Sequence, residues 1–363
     1  MMVITSRGLT RSTLKIAVPI FILIGALIIV WTLDGRRDSD LHTRANDDVR
    51  PNPFRYTGAG SCSSHSCHGG VSPRREKRVW QNEFSLWVVQ DKHAKAYDVL
   101  LNETSRRMAR ILNLTAAEKS EKCLACHATN VPIEQRTRSF DISDGVSCES
   151  CHGPAEKWLG PHTSREWTHE QSLAAGMYDT KDIVKRAELC LTCHLGTAEK
   201  WVDHEMIAAG HPDLIFELDT YTAVMPPHWR ETEQKGPWFG VRAWAVGQAV
   251  ALREAMHRLA RRAGNRTWEE AWPELAEFNC TTCHHGLRQP SWRQARGYRG
   301  TPGYPTYNAS RYTVFRHLVA LVAPDVRSSL DRQVNELGQL LQSPQRHRRE
   351  IVARARSIAA LAD

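Results

Sequence analysis

Ten cysteines fall into five close pairs, and a histidine directly follows the second member of each pair. Four pairs share one spacing: Cys123 and Cys126 with His127, Cys148 and Cys151 with His152, Cys190 and Cys193 with His194, and Cys280 and Cys283 with His284. Each reads C-x-x-C-H, in which two thiols form thioethers to the vinyl groups of one porphyrin while the adjacent imidazole reaches its iron. Anchor and proximal ligand come as one cassette. A structural zinc site also uses cysteine pairs, but it needs two of them per metal and has no use for a histidine after every second cysteine. A disulfide between cysteines three apart closes a tiny loop and constrains little of the unfolded chain. The four motifs therefore point to covalently bound haem c.

The remaining pair, Cys62 and Cys67 followed by His68, reads C-x4-C-H. The same three groups are present on a wider loop, so a haem is expected here too, with a disulfide or an unused pair as the alternative. Gly69 and Gly70 just beyond are expected to let the backbone pass close to a porphyrin. Five haems c are thus the expected cofactors.

The elements that must position these groups are mainly helical. A helix is expected over 242–262, with Leu252, Met256 and Leu259 at helical spacing, and Thr267 with Glu270 forms a capping-box pattern for a helix running into the last motif. From Arg311 on, two or three helices are expected, one carrying Val326, Leu330, Val334, Leu337 and Leu341 along a single stripe. Long alternating strand patterns are absent. Between Thr57 and about Arg230 polar turns outnumber periodic apolar runs, so the core there is expected to be the haems themselves, with Trp80, Trp87, Trp158 and Trp229 available to pack on them.

The N-terminus suggests where the chain resides. Ile16 to Leu33 carries no charge and is as long as the roughly 18 apolar residues a bilayer crossing needs. Arg7, Arg11 and Lys15 precede it, which would keep the N-terminus in the cytoplasm and send the rest of the chain across, with a cleaved signal peptide as the alternative. Residues 34–53 are charged and hold two prolines, the composition of a solvated tether. The expected organisation is a basic stub and transmembrane anchor (1–33), the tether (34–53), a multihaem cytochrome c domain with little regular strand (54–300) and a C-terminal helical region (301–363). The expected location is the periplasmic side of the inner membrane.

The formal charge of +8 does not indicate a nucleic-acid partner. Five haems with their propionates would remove about five charges, and no nucleic-acid motif is present. Expected partners are redox proteins, for instance a quinol-linked or terminal oxidoreductase, and the inner membrane itself.

The run Asp91-Lys92-His93-Ala94-Lys95-Ala96-Tyr97 and the run Gly145-Val146-Ser147-Cys148-Glu149-Ser150-Cys151-His152-Gly153-Pro154 give a more specific signal than the motifs alone. Over Tyr56 to Leu195 the chain resembles the cytochrome c-554 and c-prime family of multihaem cytochromes. The resemblance implies a compact helical protein whose haems pack in close pairs and pass electrons along a chain. It also implies distal ligands at His93 and His162, and a weak or missing distal ligand at the second motif, whose haem on Cys123, Cys126 and His127 becomes the expected open site. A fifth motif, a widened first motif and a helical C-terminal region depart from the family pattern.

In the insertion before that fifth motif, His204 and His211 stand seven residues apart, close to one face if helical, and are candidates to serve two haems. His228, His285 and His317 are weaker candidates, and Met206 or Met225 would raise a haem's potential if they ligated. Two functions remain: a membrane-anchored pentahaem electron carrier, and an oxidoreductase with one open-site haem acting on a small nitrogen-oxide-like substrate.

Overall fold

Short helices joined by tight turns occupy the cysteine-rich part of the chain: α1 (Glu83–Gln90), α2 (Ala96–Leu100), α3 (Glu103–Ile111), α4 (Glu121–His127), α5 (Cys148–His152), α6 (His169–Ala174), α7 (Ile183–His194), α8 (His204–Ala209) and α9 (Leu218–Val224). Longer helices follow: α10 (Phe239–Gly264), α11 (Ser310–Val322), α12 (Pro324–Leu340) and α13 (Arg348–Ala362). This computed structural model describes residues 53–76, 79–197, 199–229, 236–265, 272–286, 288 and 304–363. Among them the only strand-like pairings recorded outside helices are two isolated bridges, Tyr56 with Arg136 and Phe278 with Tyr307. The fold is mainly α.

Side-chain caps start the short helices, because so few residues leave most of their amides without an intrahelical acceptor. Asn102 accepts from the Ser105 amide at 2.8 Å, Asp182 from Val184 at 2.8 Å and Lys185 at 3.1 Å, and Asp203 from Met206 at 2.8 Å. The apolar core is distributed unevenly. One large cluster is built from α7 and α9 through α13, with Leu252, Met256 and Leu259 of α10 against Leu330, Leu337 and Leu341 of α12 and its end and Ile351 and Ile358 of α13. The expected helix over 242–262 extends further at both ends, and the stripe on α12 faces inward. Apart from what α7 and α9 contribute to it, the cysteine-rich part holds two small clusters among the described residues, one of five buried residues centred on Leu100 and Leu124, the other of Ala59, Trp87 and Ala94.

A buried ion-pair knot links α10 to the segment ahead of the last motif. Glu277 accepts from Arg262 at 2.6 Å and from Arg258 at 3.1 Å. The Thr267–Glu270 capping pattern lies outside the described residues. Beyond it Trp272–Asn279 holds only a short turn of 3-10 helix at Leu275–Glu277, not the expected α-helix running into the motif. Pro273 explains part of this, since it disfavours helical geometry at Trp272.

The membrane expectation is corrected. Among the described residues no helix is long and apolar enough to cross a membrane. Even α10, at 26 residues, is interrupted by Arg253, Glu254, Arg258, Arg261 and Arg262, whose charges are costly at the centre of a bilayer. The stretch 16–33 that suggested an anchor lies outside the described residues. The single-pass topology and the inner-membrane partner depended on that anchor and are not retained, nor is the placement on the periplasmic side of that membrane.

Candidate functional site

All ten cysteines are free thiols. The first motif begins on a 3-10 turn, Ala59–Cys62, and its widened loop is closed by amides of Cys67 and Gly69 that both donate to the Ser64 carbonyl at 2.9 Å. A Cβ on Gly69 would lie 1.8 Å from the Ser63 carbonyl oxygen and one on Gly70 2.6 Å from that of Gln81. What these two glycines make room for is backbone, a different role from the one expected. The second, third and fourth motifs end α4, α5 and α7, so each motif histidine is the last residue of its helix. The fifth lies on a 3-10 turn with Cys280 and Cys283 exposed.

Four of the five motif histidines have the ring of a second histidine beside them. The rings of His68 and His162 are 6.1 Å apart between centres and nearly parallel, at 6°. Those of His194 and His93 are 6.1 Å apart at 89°, those of His127 and His211 6.4 Å apart at 88°, and those of His284 and His204 6.2 Å apart at 34°. Parallel rings in full face contact would sit at about 3.5–4 Å, whereas edge-to-face and offset contacts reach about 4.5–7 Å. A metal–imidazole bond of about 2.0 Å, with the ring centre about 1.1 Å behind the nitrogen, puts two imidazoles on opposite sides of one metal about 6.2 Å apart. All four pairs fit that spacing.

The far side of most of these rings is held by the protein. Nδ1 of His127, His162 and His211 lies 2.9, 2.9 and 2.8 Å from the carbonyl oxygens of Ala96, Trp158 and Pro212. A carbonyl brings no proton, so Nδ1 must donate and Nε2 is left as the free acceptor. His68 and His93 make the same contact with carboxylates, Glu83 at 2.9 Å and Asp91 at 3.0 Å. Such contacts fix the tautomer and ring orientation of histidines that bind metals. The hydrogen bond to Glu83 raises the pKa of His68, and that to Asp91 raises that of His93. Burial instead pushes His152 and His194 down to about 4, which keeps them in the neutral form able to ligate. The Trp158 indole N–H, buried beside the His162 ring at 5.6 Å, has no hydrogen-bond partner. A carboxylate of a group seated there, such as a porphyrin propionate, would satisfy it.

The motifs also touch one another. The Cys62 thiol of the first motif interacts with that of Cys148 in the third, and the Cys126 thiol of the second with that of Cys193 in the fourth. Cys151 of the third motif lies within electrostatic range of Cys190 and Cys193, and burial pushes its thiol up to about 12. Between the two cysteines of the third motif, Glu149 is almost fully buried and accepts from the amides of Thr57 at 2.8 Å, Gly58 at 2.7 Å and Ala155 at 2.7 Å. It ties the approach to the first motif onto α5. At the other end, Asp203 caps α8 and takes Lys122 of α4 at 2.6 Å, while the His204 amide donates to Glu274 at 2.9 Å. The short helix α8 is thereby fastened to both the second motif and the segment leading to the fifth.

These placements bring together nearly all the expected site residues: each of the distal candidates His93, His162, His204 and His211 faces a motif histidine. They do not leave the second motif open, since His211 stands opposite His127. His152 is the motif histidine for which no such ring pair occurs among the described residues, and His285 is bonded to the Gly286 carbonyl beside the last motif. Glu83, Asp91 and Glu149 were not singled out from sequence. The available signals were local: Asp91 stands two residues before His93, and Glu149 sits inside its motif.

The functional expectation is corrected in a second respect. Among the described residues no group of three or more His, Cys, Asp and Glu side chains could hold a metal ion. The histidines come in twos, so they do not form a metal centre by themselves. Neither a membrane-anchored carrier nor a defined catalytic open site is supported. No curated protein and no solved structure matches the chain. Residues 61–153, with the first three motifs and His93, match the cytochrome c554 and c-prime family, and over that stretch the chain is similar to this family of haem-binding proteins.

Proposed function

We propose that the chain binds five haems covalently and that its histidine pairs arrange them in a row for electron transfer within the protein. The observation that carries this reading is the ring-to-ring spacing of about 6.2 Å, repeated in four independent pairs. Cys62 and Cys67, Cys123 and Cys126, Cys148 and Cys151, Cys190 and Cys193, and Cys280 and Cys283 would hold the porphyrins. His68, His127, His152, His194 and His284 would be the proximal ligands, opposed by His162, His211, His93 and His204 at the first, second, fourth and fifth motifs respectively. Bound haem supplies one-electron exchange at its iron.

The contacts between motifs support an order in space of first, third, fourth, second and fifth. The thiol contacts Cys62–Cys148 and Cys126–Cys193 set two of the neighbours, Cys151 beside Cys190 sets a third, and α8 sets the last. The protein's own residues would orient the imidazoles of His68, His93, His127, His162 and His211 from the Nδ1 side. The fifth motif, with both cysteines exposed, is the most accessible end of the row.

Intact mass of the purified protein tests the cofactor count. Five haem increments over the sequence mass are expected. Four increments, with Cys62 and Cys67 unmodified, would remove the widened motif from the row.

A further inference from the structure

We propose that Asp91 acts through His93 as a positioning residue that lowers the reduction potential of the haem at the fourth motif. The inference rests on the haem reading above and deepens it by naming what regulates one centre.

Asp91 joins α1 to the 3-10 turn Lys92–Lys95 and is 4% exposed. One carboxylate oxygen, Oδ1, accepts from both the His93 amide at 2.9 Å and His93 Nδ1 at 3.0 Å. The other, Oδ2, is buried and has no hydrogen-bond partner. Capping a turn needs only one acceptor, which a neutral side chain would supply. A buried carboxylate with an empty oxygen is costly unless positive charge stands close. His93 leads toward such a charge, because its ring lies 6.1 Å from that of His194, the spacing of two ligands on one metal. An oxidised iron–porphyrin between neutral imidazoles carries one positive charge and loses it on gaining an electron. A carboxylate hydrogen-bonded to the ligand therefore favours the oxidised form.

The turn is also held from the opposite side. The His93 carbonyl accepts from the Val146 amide at 3.0 Å, and a Cβ on Gly145 would lie 2.8 Å from that carbonyl oxygen. Residues just ahead of the third motif thus fix the backbone that presents Asp91 to the ring.

The other histidines supply the contrast. At the second motif both rings meet carbonyls, Ala96 for His127 and Pro212 for His211, which bring no net charge. At the first motif Glu83 Oε2 meets His68 Nδ1 at 2.9 Å, but Oε1 takes the amides of Trp80 at 2.8 Å and Gln81 at 3.2 Å. The charge of Glu83 is shared with two backbone donors, whereas that of Asp91 goes to His93.

Spectroelectrochemical titration of the full chain, with intact mass and electron paramagnetic resonance, tests the assignment. Asp91→Asn keeps an acceptor oxygen and removes the charge. It should retain five haem increments and the wild-type spin states while one reduction equilibrium shifts about tenfold, raising that midpoint by about 59 mV for one electron. The same midpoint should rise in His93→Met, and Glu83→Gln should move a different one by less. Unmoved potentials in Asp91→Asn would reduce Asp91 to a cap and overturn the proposal. So would a shift in a haem that His93→Met leaves alone, an equal or larger shift in Glu83→Gln, or loss of an increment or of a low-spin signal in Asp91→Asn. Absence of covalent haem from wild type would instead overturn the reading on which the assignment rests.

Discussion

The two halves of this chain solve the core problem differently. From α10 onward, long helices bury leucine, isoleucine, methionine and alanine in one continuous cluster, with Leu259, Leu330, Leu337, Ile351 and Ile358 at 0% exposure. The cysteine-rich part has helices of five to twelve residues and small apolar clusters that hold mostly alanine and single large side chains. Its order comes from caps, from Glu149 and from histidine pairs. The first kind of core is complete in side chains. On the haem reading proposed above, the second would be arranged around planar groups that the side chains only frame.

If that contrast is right, the largest effect should come from denying the chain its haem. With both cysteines of the four regular motifs replaced by serine, hydrogen exchange should show protection lost across α1–α8 while α10, α12 and α13 remain protected. Equal protection in both halves would mean that the cysteine-rich part has a sufficient core of its own.

A packing defect should act the opposite way. Leu337→Ala, at a fully buried position of α12, removes side-chain volume from the complete core and should cost about 2–5 kcal/mol of unfolding free energy. The haem spectra should stay as in wild type, because no motif lies on α12. A changed spin state would show that the two cores are not separable.

The smallest effect concerns acid. Burial works to raise the pKa of Glu277, but the guanidiniums of Arg258 and Arg262 outweigh it and hold the carboxyl below its ordinary value. A group depressed in the folded state stabilises fully above its unfolded pKa of about 4.3 and loses that contribution as pH falls through the folded value. Melting of the α10–α13 core should therefore be insensitive to this group from pH 8 to about 5 and weaken below about 4. Glu277→Gln should flatten that acid limb. An acid limb of undiminished depth in the variant would assign it to other carboxylates.

How much of this was legible in sequence follows from how local each interaction is. A covalent motif spans five to seven residues, so all five appear in the sequence, and the stripe on α12 follows from a period of 3.6 residues. Ligand pairing is not local. His162 lies beside His68, and His211 beside His127, through folds that no spacing announces, so only the family resemblance spoke to the second motif, and the open site it implied meets a histidine there. His204 and His211 were readable as a pair because one short helix separates them. The expected membrane span shows the opposite hazard: an uncharged run in 16–33 carried the whole topology, whereas the longest described helix, α10, is too charged to cross a bilayer.

The helix α8 has a consequence of its own. His204 lies at its first turn, and His211 follows the left-handed turn at Gly210, whose φ is 119°. Each lies beside a different motif histidine, so α8 acts as a ruler: its length sets the reach from one histidine to the next and, if haems occupy both motifs as proposed, would set the distance between them. Adding one residue inside it would lengthen the ruler by about 1.5 Å and turn one histidine by about 100° relative to the other. Both faces could not then be met at once. The number of residues between these two histidines is consequently under tighter constraint than the identity of any residue between them.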